Sequence, residues 1–183
     1  APVRVSGFFG TGTGINFEPP IGQAPFLADD DRGQLEVTLR PLTPLRIDNS
    51  YLFLRLKERE DGATILNNHI LRSKWNYQFN RELSLRVILQ YDTTLTNPAF
   101  TPLETAKNFN ADFLLTYLVN PWTAVFVGYN GNAQNILLCR GPGSKGPGCP
   151  NLAAGTSTLI RPRRRFINDA RQFFVKVSYL LRF

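Results

Sequence analysis

The chain has 183 residues, 43% of them hydrophobic, and a mean hydropathy of −0.18, which suits a single domain over 1–183. No apolar run approaches the ~18 residues of a spanning helix, so a helical membrane protein is excluded. A transmembrane barrel is not, because its lipid-facing and lumen-facing residues alternate and average out. The net charge of +7 is spread along alternating segments, with one cluster, which argues against nucleic acid as a partner.

Val3 to Asn16 interleaves Val, Phe and Ile with small residues. Its Gly10 to Gly14 run fails as a phosphate loop, since no Lys-Ser/Thr follows and Pro19 and Pro20 forbid the helix such a loop starts. Glycines where a sheet must curl explain it better. Phe17 to Gly33 is expected to be a long polar loop, with Asp29, Asp30 and Asp31 at a solvated tip that lacks the ligand spacing of a calcium loop. Gln34 to Arg40 alternates, and Pro41 to Pro44 turns the chain. From about Arg46 to Lys57 the return strand sets Leu52, Leu54 and Leu56 against Tyr51, Phe53, Arg55 and Lys57, although Arg46 to Ser50 alternates too poorly to assign faces.

Glu58 to Gly62 is a charged turn before a long strand that ends at Phe79, where Leu71, Ser73, Trp75 and Tyr77 oppose Arg72, Lys74, Asn76 and Gln78. After the turn at Asn80-Arg81, Glu82 to Asp92 puts Leu83, Leu85, Val87, Leu89 and Tyr91 on one face. A loop over Leu95 to Lys107 leads to Asn108 to Leu118, with Phe109, Ala111, Phe113, Leu115 and Tyr117 aligned. Asn120-Pro121 turns into Trp122 to Gln134. The longest loop, Asn135 to Asp169, holds Cys139 and Cys149, and the strand from Arg171 to Phe183 carries Phe173, Val175, Val177, Tyr179, Leu181 and Phe183 on one side. The pattern therefore predicts an all-β, antiparallel, up-and-down barrel of about eight strands, each about ten residues long.

Alternation alone does not say which face is covered, since a soluble ligand-binding barrel alternates too. Short turns at 41–44, 80–81 and 120–121 alternate with long loops, the asymmetry of a transmembrane barrel with short periplasmic turns and long outer loops; only 58–62 breaks it. On that reading the apolar-face aromatics form two interfacial girdles, Tyr91, Phe109, Tyr129 and Phe173 outside and Phe79, Tyr117, Trp122, Tyr179 and Phe183 inside. The opposite face carries Glu36, Arg40, Arg55, Arg72, Lys74, Arg86, Asp112 and Lys176. Inside a small barrel these form a polar plug in which the cations pair with Glu36 and Asp112; in a wider one they line an anion-preferring pore.

The stretches Lys74 to Tyr91, Leu115 to Tyr129 and Gln172 to Tyr179 resemble the C-terminal barrel region of large bacterial outer-membrane proteins whose N-terminal module is similar to carbohydrate-binding family nine. The terminal strand, ending on Phe183, is similar to the signal read by the barrel-assembly machinery. The resemblance implies an outer-membrane location, a bilayer and lipopolysaccharide as surroundings, and a stand-alone small barrel or the last part of a larger one. It brings no catalytic residues.

Catalysis has little to work with. His69 is the sole histidine and is taken as a surface residue, and no nucleophile elbow, zinc spacing or paired carboxylates occur, so no enzyme, metal or cofactor is expected. Cys139 and Cys149 read as a disulfide of an oxidising compartment. Arg161, Arg163, Arg164 and Arg165 form the one dense cation cluster, suited on an outer loop to phosphates or acidic glycans as much as to plain solvation. Long outer loops would also serve protein partners.

Overall fold

A computed structural model describes residues 2–141 and 149–180. The strands are β1 Val3–Asn16, β2 Phe26–Leu42, β3 Leu45–Lys57, β4 Thr64–Gln78, β5 Leu83–Thr96, β6 Ala106–Asn120, β7 Thr123–Gln134, β8 Leu137–Arg140, β9 Ser157–Ile160 and β10 Ile167–Tyr179. Eight form one sheet in the order β1-β2-β3-β4-β5-β6-β7-β10, while β8 and β9 form a separate hairpin. All pairings are antiparallel. The expected all-β, up-and-down sheet is thus present, with no helix among the described residues.

The eight strands of the main sheet run 12 to 17 residues, longer than the ten expected, and the excess lies at the long-loop end. There the expected loop over Phe17 to Gly33 shrinks to 17–25, because β2 begins at Phe26 and carries the three aspartates within the sheet. Each is held by a cation: Asp29 by Arg59 at 3.1 Å, Asp30 by Arg32, and Asp31 by Lys57 at 3.0 Å. Three adjacent carboxylates look like a solvated tip in one dimension, and cross-strand partners make them strand residues. Likewise β5 continues to Thr96 and β6 starts at Ala106, and the longest loop contains β8 and β9.

Side chains define the short turns. The Asn80 Oδ1 accepts the N–H of Glu82 and Leu83, at 2.9 and 2.7 Å, and the Asn120 Oδ1 accepts that of Trp122 at 2.9 Å; both are Asx turns that reverse the chain in a few residues. At 58–62 the Glu58 carboxylate accepts two backbone N–H groups and Gly62 takes φ of 70°, a conformation that favours glycine.

The only buried apolar cluster among the described residues, Ala28, Leu56 and Ile65 with Phe26, Leu66 and Phe100 packed on it, sits at the long-loop end. The 97–105 segment is tied over it: Asn16 Nδ2 donates to the Phe100 carbonyl at 2.9 Å, and Asn97 Nδ2 to the Thr64 carbonyl at 3.1 Å. Elsewhere in the main sheet Ile47 is the one buried hydrophobic among the described residues. The molecule exposes 12466 Å², where a compact monomer of 20.7 kDa exposes about 8900 Å².

Candidate functional site

Cross-strand register fixes which side chains share a face, and it resolves the sheet into one apolar and one charged surface. The apolar face carries Phe9, Val37, Leu71, Trp75, Val87, Phe113, Tyr129 and Val175 among others, in contiguous register from β1 to β10. It is bare: Leu71 is 51% exposed, Phe9 and Phe173 67% and Val177 64%. On β5 its run from Leu83 to Tyr91 covers about 26 Å of strand, or about 20 Å of height at a tilt of 35–45°.

The run stops at a sharp border. Continuing along the same face toward the long loops, the next residues are Thr11 on β1, Asp31 on β2, Arg55 on β3, Thr93 on β5, Lys107 on β6 and Arg171 on β10. On β4 the border is His69, whose Nδ1 lies 2.7 Å from the Tyr51 hydroxyl, and on β7 it is Gly131. His69 is therefore hydrogen-bonded within the sheet rather than a loose surface residue.

This border is staggered. The register row that contains Phe173 at the top of the β10 run continues through Tyr129, Phe113, Val87, Trp75, Ile47 and Leu39 to Val3, at the bottom of the β1 run, whose top is Phe9. The border thus climbs six residues across seven strand steps, a slope of about 30° at 3.3 Å per residue and 4.8 Å per strand. A band level with respect to an outside surface requires that slope on tilted strands.

The aromatics expected in the girdles divide accordingly. Tyr91, Phe109, Tyr129 and Phe173 stand at or near the upper border, and Tyr117, Tyr179 and Phe79 near the short turns, with Trp122 in the last of those turns. Phe79 meets Tyr77 edge-on at 4.7 Å. Phe183 lies outside the described residues. Sequence reasoning placed Trp75 on this face but missed Phe9, Tyr51 and Phe53; on β3 the cause is that both alternation phases are rich in apolar residues.

The charged face gathers Glu36, Arg40, Arg72, Lys74, Arg86, Asp112 and Lys176 as expected. Arg55 does not belong with them. It aligns with Asp31 and Asn67 on the other face, its Nε 3.1 Å from Asn67 Oδ1 and its guanidinium 5.3 Å from the Phe53 ring centre. Leu52, Leu54 and Leu56 take the charged side instead. The expected pairing with Glu36 and Asp112 also differs: Glu36 accepts from Gln34 at 2.7 Å and Asp112 from Asn130, and neither meets a cation among the described residues. Phe174, the aromatic exception on this face, lies against Gly128, whose missing side chain makes room for the ring.

In the long loop Cys139 and Cys149 are joined as a disulfide, as expected. Arg161 pairs with Glu104 at 3.6 Å, the Lys107 ammonium donates to the Arg163 carbonyl at 2.9 Å, and Arg163, Arg164 and Arg165 are exposed. Buried Asn135 ties this loop down, donating to the Thr105 and Pro162 carbonyls and accepting the Lys107 N–H at 2.7 Å. No group of three metal-ligating side chains occurs among the described residues, and no helix is long and apolar enough to cross a membrane. No family model, curated protein or solved structure matches the chain.

Proposed function

We propose that this chain forms the wall of a bacterial outer-membrane β-barrel, without enzymatic activity, that anchors long outer loops for contact with surface glycans or proteins. The staggered, uncovered apolar band carries the reading. Lipid is the cover that a band of this height, bordered by polar residues on seven of its eight strands and staggered as tilted transmembrane strands require, would meet. Tyr and Trp side chains near its two edges suit the headgroup level, and the sequence resemblance to outer-membrane barrel regions points the same way. The exposed Arg163 to Arg165 cluster fits phosphate and acidic sugar on the outer leaflet.

The test uses the two tryptophans. Trp75 stands on the apolar face and Trp122 in a short turn near it. Reconstituted into vesicles that contain brominated lipid, the protein should lose much of its tryptophan fluorescence, and unheated it should migrate faster than boiled. A chain that stays soluble and unquenched without detergent would be a soluble ligand-binding barrel instead.

A second reading, a segment of a wider anion-preferring pore, is favoured by one observation: among the described residues β1 pairs only with β2 and β10 only with β7. Conductance in a planar bilayer separates the two, since a sealed small barrel passes no current.

A further inference from the structure

We infer that the charged face holds a binding site for a small organic anion with two oxyanion groups, seated over β1 to β4 at the short-turn end. Two adjacent register rows build it. One runs Arg4, Thr38, Asp48, Lys74, and the next Ser6, Glu36, Ser50, Arg72. Together with Arg46 they line a single cavity of about 440 Å³, within the range of small-ligand sites.

The two carboxylates in this cavity are already engaged. Asp48 accepts from Thr38 at 2.8 Å and from Arg46 at 2.9 Å, and Glu36 is held by Gln34. Arg4 and Arg72 have no hydrogen-bond or ion-pair partner among the described residues. Two guanidinium forks facing one polar cavity are a site for oxyanions, which each fork binds bidentately. Arg4 stands on β1 and Arg72 on β4, about 14 Å apart across the sheet. With both side chains standing upright from the sheet, as strand side chains do, a bare phosphate does not span that gap. A ligand with an oxyanion at each end does, and the hydroxyls of Ser6 and Ser50 can meet its middle.

The site rests on the barrel reading only in that it then faces the lumen. The experiment is titration calorimetry of the full chain folded in detergent micelles, at fixed physiological salt, with inorganic phosphate and inorganic triphosphate as probes. Triphosphate should bind at least tenfold tighter than phosphate. Arg4→Ala should erase that difference while leaving weak phosphate binding at Arg72, and Arg72→Ala should lower affinity for both probes. The variant Arg163→Ala/Arg164→Ala, on the outer loop, should bind as the parent does. Equal affinity for the two probes, or loss of binding in the loop variant alone, overturns the inference.

Heat-dependent migration of each variant reports folding separately. A chain that migrates as a barrel but does not distinguish the probes sinks the site and keeps the barrel. One that binds triphosphate through Arg4 without the migration shift keeps the site and sinks the barrel.

Discussion

Gly128 and Phe174 form a two-residue device on the charged face. A Cβ placed on Gly128 would meet the Phe174 ring, so the ring covers backbone that a larger residue would have shielded itself, as aromatics do across strands opposite glycine. Gly128→Ala should therefore force the ring off its position and destabilise the protein by about 1–3 kcal/mol, read from urea unfolding in lipid vesicles. Phe174→Ala combined with Gly128→Ala should recover part of that loss, a coupling that independent sites would lack. Nothing in the local sequence announces this pair, because Phe174 breaks the alternation of its strand and only the register beside β7 explains it. Arg55 shows the same limit from the other side. Its phase along β3 was legible, but which phase faces which surface was not, since leucines occupy one and aromatics the other. Asp31 and Asn67 decide it, and both come from neighbouring strands.

At the scale of single elements, the strands were legible where one face is uniformly apolar, as in β5 and β6, and their short turns were legible from Asn-Arg and Asn-Pro. Their upper ends were not, because beyond the apolar border polar and apolar residues mix on both faces, as in Phe26 to Asp31, and alternation vanishes. That same border yields a sharp expectation for β5. Val87→Arg puts a charge mid-band, and in a bilayer should cost about 2–4 kcal/mol; Gln90→Arg, on the charged face of the same strand, should cost little. Urea titration of both variants in vesicles checks it, and equal costs would show that lipid does not cover the Val87 side. In the loop, reduction of Cys139–Cys149 releases a closure of ten residues, worth about 3 kcal/mol in chain entropy. Because β8 and β9 form their own sheet, the effect should stay local, with new protease cuts confined to 137–160 and the main sheet still resistant.

For the whole molecule, the open question is what lies against the outer edges of β1 and β10. Each edge leaves a row of backbone N–H and C=O groups without strand partners, which water can satisfy but hydrocarbon cannot. If the apolar band sits in lipid, both edges must be paired. Because β1 and β10 are the first and eighth strands of an alternating sheet, they run antiparallel. The edge of β10 can therefore pair with β1 of the same chain, closing eight strands, or with a strand of another sheet placed the same way up, giving a wider barrel. Pairing β1 with β1 of a second copy would turn that copy upside down in the membrane. Cysteines introduced at Val5 and Val177, both on the apolar face and each four residues below the top of the apolar run on its edge strand, read out the arrangement when oxidised in vesicles after the native disulfide has been removed. An intramolecular crosslink would mean a closed eight-stranded barrel with a lumen filled by side chains, and function carried by the loops. A crosslinked dimer would mean a wider barrel built head to tail, in which the basic short-turn end of the charged face lines an open passage. With neither product the edges pair with strands of other sequence, and a wider, mixed barrel follows.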